Sequence, residues 1–311
     1  MQLFIYSALS PAARTLLLEN LPAGVQPVFR ADLPADQQQA AFRSAEVVLG
    51  NVPPAWLAAA QPPRLQFWQI DSAGFERYAG LAVDFPVANM GDYFAWPCAE
   101  TMVAGILALY RRIPELAVLQ QQRRWVGAPL RAGTGLLRHK RVVILGAGAI
   151  GLAVREQLRG FQCQVQLLAR TNPAAQLHTV QELQAELPQT DIVVNCLPGS
   201  ARGFFSAELI GAMPPGSLYA SVGRGNTTDE PALLAALQAG RLGGAVLDVT
   251  LQEPLPADNP LWTLPNVLLT QHTGGGQPRE DEGKVEMLLR NLGHLRQGAP
   301  LENLVELGRG Y

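Results

Sequence analysis

Short apolar runs recur along residues 1–97, namely QLFIY, VQPVF, AEVVLG, LQFWQI and FPVAN, each closed by Pro, Gly or polar turn residues. Runs of this length with such boundaries predict strands. Between them lie stretches with helical spacing, such as 10–20, where Ser10 stands as an N-cap before Pro11 at the first helical position. Alternating strands and helices predict a small parallel-sheet domain. After the aromatic cluster Tyr93, Phe94 and Trp96, Pro97 closes this segment, and a long helical pattern starts around Cys98 and continues towards Trp125. Pro114 interrupts that pattern. Proline inside a helix lacks an N–H and crowds the carbonyl four residues back, so a bend or two abutting helices are expected.

A stronger series follows: RVVIL, VQLLAR, DIVVNCLP, SLYASVG, GGAVLDV and NVLLTQH, with helical segments between most of them. This predicts a doubly wound α/β domain. From Pro278 onward, Val285, Leu288, Leu289, Leu292 and Leu295 fall near helical spacing, which predicts a helix with one packed face.

Composition narrows the function classes. Hydrophobic residues make up 48% and charged residues 16%, and 24 basic against 26 acidic side chains leave no excess charge for nucleic acid. Cys98, Cys163 and Cys196 have apolar neighbours and no metal-ligand spacing, so they are expected to be reduced core residues and no metal is expected. No apolar stretch reaches the roughly 18 residues of a membrane span. The N-terminal run reads as a strand rather than a signal segment, so a cytoplasmic chain without a membrane partner is expected.

Gly146, Gly148 and Gly151 directly follow RVVIL and open the helix-like LAVREQLRG. This GxGxxG, between strand and helix, is the arrangement that receives a dinucleotide pyrophosphate: a tight turn, close backbone approach, and free N–H groups at a helix start. A ribose-binding carboxylate is expected about 20 residues further on in NAD enzymes. Ala169 stands there instead, followed by Arg170 and Thr171, a cation and a hydroxyl suited to a 2′-phosphate. NADP is therefore the preferred cofactor, with NAD possible.

Three predicted strands end in polar groups: Arg224 after SLYASVG, Glu253 after GGAVLDV and His272 after NVLLT. In an open parallel sheet, ligands bind at the C-terminal strand ends. An imidazole can donate a proton near neutral pH, a neighbouring carboxylate favours the charged ring and fixes its orientation, and a guanidinium grips a carboxylate while polarising a carbonyl. That set suits hydride reduction of a 2-keto acid. His139, His178 and His294 lack comparable partners and are read as surface residues; Trp56, Phe75 and Trp262 are candidates either to line the substrate pocket or to be core, with core favoured for each taken singly.

On VVILGAGAIG, SVGRGNTTDEPALLAALQAGRLGGAVLDVTLQEPLPADNPLW and PNVLLTQHTGG, the chain resembles the D-isomer-specific 2-hydroxyacid dehydrogenases over most of residues 65–311. The resemblance implies two doubly wound domains: a Rossmann cofactor domain at 98–277, and a smaller flavodoxin-like substrate domain from 1–97 plus 278–311. It implies Arg224, Glu253 and His272 as catalytic residues. It adds Ala149, Ile150, Leu197, Pro198, Val222, Gly223, Asp248 and Gly274 to the glycines, Arg170 and Thr171 as cofactor contacts. QIDSAGFERY resembles the family's substrate loop, so backbone N–H groups of Ser72, Ala73 and Gly74 are expected to hold the substrate carboxylate, with domain closure over the site. The helix from Cys98 resembles a dimerisation arm, and a homodimer is expected. Within the family, the ART triplet, LQQQRRW and the terminal RGY look most like the glyoxylate/hydroxypyruvate reductases of the A type, which reduce small 2-keto acids to D-2-hydroxy acids. An NAD-dependent D-lactate-type or broad-specificity dehydrogenase, and a nucleotide-sensing corepressor-like binding protein, are alternatives on the same fold. The sequence departs from the family pattern at Gln271, where proline usually precedes the histidine, and at Gly199 and Ser200, where Thr-Pro is common.

Overall fold

A computed structural model describes residues 1–309; Gly310, Tyr311 and the Arg309 side chain, and with them most of the RGY segment, lie outside the described residues. The chain divides into two compact units, Met1–Tyr93 with Gln277–Tyr311, and Phe94–Gly276. Both are α/β with a parallel sheet.

In the first unit, β1 (Gln2–Ile5), β2 (Gln26–Phe29), β3 (Val47–Leu49), β4 (Phe67–Gln69) and β5 (Val87–Ala88) form a parallel sheet in the order β2-β1-β3-β4-β5. Because strand side chains alternate between faces, Phe4, Val48 and Trp68 pack with Phe42 and Tyr78, while Leu3, Ile5 and Val47 pack with Ala13 and Leu17. Both faces of β1, β3, β4 and β5 are buried, which explains why these strands read as continuous apolar runs; β2, at the edge, is only partly buried. Helix Pro11–Asn20 starts as expected: Ser10 Oγ accepts from Ala13 N at 3.2 Å, a cap worth about 1 kcal/mol. The C-terminal helix Glu280–Gln297 buries Val285, Leu288 and Leu292 in this same unit, against Ala13 and Leu17.

In the second unit, β6 (Arg141–Leu145), β7 (Gln164–Leu168), β8 (Ile192–Asn195), β9 (Leu218–Ser221), β10 (Gly244–Leu247) and β11 (Val267–Leu269) are ordered β11-β10-β9-β8-β6-β7 and are all parallel. A bridge from Leu168 to Leu177 adds a short parallel segment beside β7. Strand order reverses between β6 and β8, the place where open α/β sheets bind ligands. The helix expected from Cys98 begins at Ala95 and ends at Tyr110, and a second runs Ile113–Gln121 with Arg112 left-handed between them. The break has a local cause: the Pro114 ring would crowd the carbonyl of residue 110, and at the start of a helix its missing N–H costs nothing.

Cys98, Cys163 and Cys196 are free thiols, and burial pushes all three up, Cys98 to about 12, so they stay protonated and unreactive at neutral pH. His139 and His178 are exposed, but His294 is half-buried, with an Nδ1 that is shielded from water and has no hydrogen-bond partner among the described residues, which corrects its reading as a surface residue. Among the described residues no helix is long and apolar enough to cross a membrane.

Candidate active site

The sheet register sets the frame of the site. Leu247 of β10 pairs with Ser221 of β9 on one side and Leu269 of β11 on the other, so the three strands end level. Arg224, Glu253 and His272 follow those residues in the chain, and three neighbouring loops therefore leave one edge of the sheet. Glu253 and His272 meet, with Oε2 2.6 Å from Nδ1. A carboxylate can only accept, so Nδ1 carries the hydrogen and Nε2 is left to exchange a proton. The other Glu253 oxygen accepts from Thr250 N at 3.0 Å, which fixes the carboxylate within its own loop. His272 remains half-exposed. Arg224 is half-buried and Nη1 donates to the Gly223 carbonyl at 2.8 Å.

Asp248 organises the histidine loop. Its Oδ1 accepts from Thr270 Oγ1 at 2.6 Å, Thr273 N at 3.0 Å and Gly274 N at 2.9 Å, and its carbonyl accepts from His272 N at 2.6 Å. The three bonds to the carboxylate are charge-assisted and strong, and with the backbone bond they hold the loop in place. Within it Gln271 and His272 are both left-handed, at φ 54° and 57°. Proline is locked near −65°. The departure from proline at 271 is therefore required by this backbone. Gln271→Pro is expected to destabilise the protein by more than about 1 kcal/mol and to lower turnover by displacing His272, as read by denaturant unfolding and initial rates.

Beside the pair lies a cavity of about 410 Å³, lined by His272, Glu253, Pro254, Leu255, Trp262 and Gln271 among others. Trp262, favoured as core, is 42% exposed on this wall. Its indole N–H donates to Pro256 O at 2.9 Å, so the loop after Pro254 holds the ring at the surface. Phe75 is buried as expected, and Trp56 packs half-buried against the same cluster.

The glycine loop fits a dinucleotide. Gly146 has φ 102°, a Cβ on Gly151 would lie 2.1 Å from the Gly146 carbonyl oxygen, and a Cβ on Gly148 would meet nothing within 4 Å. The turn and the helix approach thus need glycine, and Gly148 opens onto space at the start of helix Ala149–Arg159, where Ala149 is exposed and Ile150 half-buried. Arg170 and Thr171 are exposed at the tip of β7. Two neighbours escaped the sequence reading. Asn172 Nδ2 donates to Ala147 O at 2.7 Å, tying this turn to the glycine loop, and His178 Nδ1 lies 2.8 Å from Ala169 O. Both signals are non-local: the Asn172 contact forms when the turn after β7 meets the glycine loop, and the His178 contact when the segment around Leu177 pairs with the end of β7.

Leu197 N donates to Asn195 Oδ1 at 3.0 Å, Gly199 O accepts from Asn226 Nδ2 at 3.0 Å, and Gly223 lies against the Leu197 backbone; Pro198 completes this turn. At the departure from the family pattern, that amide holds the Gly199 carbonyl and Ser200 is exposed. Gly274 is buried behind Asp248, and Val222 packs into the core, so its side chain is not offered to a ligand. In the first unit, Ser72 Oγ donates to Gly74 O at 2.7 Å and Asn89 Nδ2 to Ala73 O at 2.6 Å. The N–H groups of Ser72, Ala73 and Gly74 donate to no described group.

Comparison with known proteins gives a consistent result. Residues 103–274 match the family described as D-isomer specific 2-hydroxyacid dehydrogenase, NAD binding domain. Glyoxylate/hydroxypyruvate reductase A of Salmonella heidelberg is 34% identical over 219 residues, 68% of each chain. A D-isomer specific 2-hydroxyacid dehydrogenase family protein from Aeromonas salmonicida superposes with a TM-score of 0.84 at 27% identity, over 98% of this chain and 99% of that one. A D-isomer specific 2-hydroxyacid dehydrogenase from Xanthobacter autotrophicus, solved in complex with NADPH and MES, gives a TM-score of 0.82 at 27% identity, over 100% and 99% of the two chains.

Proposed function

Since the chain belongs to the D-isomer specific 2-hydroxyacid dehydrogenase family, and is thereby an NAD(P)-dependent oxidoreductase, we propose that it reduces small 2-keto acids such as glyoxylate and hydroxypyruvate to D-2-hydroxy acids with NADPH. The observation that carries this reading is the 2.6 Å contact between His272 Nδ1 and Glu253 Oε2 at the C-terminal edge of the sheet. It orients an imidazole whose Nε2 can deliver a proton to a carbonyl oxygen as that oxygen becomes an alkoxide. When bound, the reduced nicotinamide supplies the hydride for C2.

In this reading Glu253 stabilises the charged ring, and Arg224 binds the substrate carboxylate and polarises the adjacent carbonyl. In the first unit, the N–H groups of Ser72–Gly74, which donate to no described group, suit a carboxylate ligand. Gly146, Gly148 and the first residues of the following helix hold the pyrophosphate, and Arg170 and Thr171 take the 2′-phosphate that a carboxylate at position 169 would repel. The relative from Xanthobacter was solved with NADPH, which supports that choice. We also assign the exposed Ile113, Leu116, Val118 and Trp125 to a homodimer contact.

A panel of 2-keto acids assayed with both cofactors tests the reading. NADPH is expected to be favoured over NADH by about 10- to 100-fold in kcat/KM, the scale of one or two charge-assisted bonds to a phosphate. Ala169→Asp is expected to reverse the preference. Equal use of NADH by the wild type would remove Arg170 and Thr171 from the account.

A further inference from the structure

Asn195 is the last residue of β8 and is fully buried. An amide in such a place is costly unless each of its groups is bonded. Here its Oδ1 accepts from Leu197 N at 3.0 Å, while Nδ2 donates to Tyr219 Oη at 2.9 Å, Thr227 Oγ1 at 2.9 Å and Thr228 Oγ1 at 3.3 Å. Tyr219 and Thr227 are fully buried too, and Thr228 nearly so. Tyr219 Oη and Thr228 Oγ1 lie 2.5 Å apart and close the cluster.

The Thr227 hydroxyl has a fixed direction. It donates to the Arg224 carbonyl at 2.7 Å, because a carbonyl only accepts, and its lone pair therefore receives Asn195 Nδ2. Thr227 N adds a second donor to the same carbonyl at 3.1 Å. One uncharged amide thus fastens the Leu197 turn on one side and the Arg224 turn on the other.

The turn has little freedom elsewhere. A Cβ at Gly225 would lie 1.9 Å from Thr250 O and 2.6 Å from Leu251 N, so the Arg224–Gly225 backbone packs directly on the loop that carries Glu253. That loop is held in turn by Leu251 N donating to Glu230 Oε2 at 2.7 Å.

We propose that the buried cluster of Asn195, Tyr219, Thr227 and Thr228 is a positioning device that sets the place of the Arg224 guanidinium for the substrate carboxylate. The inference rests on the reading of Arg224 given above. These side chains touch no reacting atom; they act through the backbone of Arg224. Because none of them is charged near neutrality, the hold does not change with pH in the working range.

Thr227→Val keeps the shape and removes the hydroxyl, leaving Asn195 Nδ2 with only Tyr219 Oη and Thr228 Oγ1 as acceptors and Arg224 O with one donor fewer. The wild type, Thr227→Val, Thr227→Ser and Arg224→Lys are to be compared by steady-state kinetics with glyoxylate and hydroxypyruvate, alongside NADPH binding and thermal unfolding. Thr227→Val is expected to lose about tenfold in kcat/KM, mostly through a raised keto-acid KM, with the NADPH Kd changed less than about twofold and with Thr227→Ser restoring the wild-type KM. A lowered Tm with kcat and KM both unchanged would reduce the cluster to a stability role and overturn the proposal. Should Thr227→Val not fold, Tyr219→Phe withdraws a hydroxyl from the other end of the cluster, and an unmoved KM there has the same meaning. If Arg224→Lys leaves the keto-acid KM unmoved, the reading of Arg224 itself fails; if Arg224→Lys raises it and Thr227→Val does not, only the positioning inference fails.

Discussion

Replacing His272 by Asn is expected to lower kcat for 2-keto acid reduction by about 10²- to 10⁴-fold, with a much smaller change in KM. The size follows from the role proposed for the ring. Hydride arriving at C2 leaves negative charge on the carbonyl oxygen, and that charge is neutralised within the site only if a proton is delivered as it develops. Nε2 can do this because Nδ1 is committed to Glu253 Oε2 at 2.6 Å. Asn retains a polar group of similar reach but cannot transfer a proton, so substrate binding should survive while the chemical step slows. Glu253→Gln is milder in shape and should act in the same direction, since an amide oxygen still accepts from Nδ1–H but offers the imidazolium no negative charge. The two losses should not add, because both act through one ring.

Arg224→Ala is expected to cost about 2–5 kcal/mol in transition-state binding, roughly 30- to 5,000-fold in kcat/KM, shared between KM and kcat. A guanidinium that grips the carboxylate contributes to substrate binding, and its polarisation of the neighbouring carbonyl strengthens as the oxygen gains charge. Arg224→Lys keeps the charge but loses the planar fork, so it should recover part of the binding and less of the rate. Initial rates over a range of keto-acid concentrations separate the two contributions. A change confined to KM would assign Arg224 to anchoring alone.

Much of this architecture is written locally in the chain. The apolar runs of central strands such as β1, β3, β4, β6, β8, β9 and β10 are legible because strands buried on both faces leave continuous hydrophobic stretches, whereas β2 and β11, at the sheet edges, are only partly buried. The break before Pro114 and the cap at Ser10 are legible for the same reason: each depends on one residue and its near neighbours. Strand-end chemistry could be anticipated at Arg224, Glu253 and His272 because in a parallel sheet the end of every strand faces the same edge.

Other features depend on residues far apart in sequence. The amide of Asn195 gathers partners from Leu197, Tyr219, Thr227 and Thr228, and nothing near Asn195 in the chain announces them. The left-handed turn at Gln271 and His272 is held by Asp248, more than twenty residues upstream, and only that turn explains why proline is excluded at 271. His178 looks unpartnered until the segment containing Leu177 pairs beside β7 and brings the ring to the Ala169 carbonyl. Between core and pocket wall, the two places open to Trp262 from its type alone, the loop after Glu253 decides for the wall by holding the indole there.

The most direct test of the central claim follows the hydride itself. The enzyme is incubated with NADPH deuterated at the transferring C4 position and with hydroxypyruvate, and the product is examined by mass spectrometry and chiral separation. The account predicts one deuterium on C2 of a product of D configuration, formed by the wild type and barely by His272→Asn. Product of L configuration, product without deuterium, or equal formation by the His272 variant would contradict it.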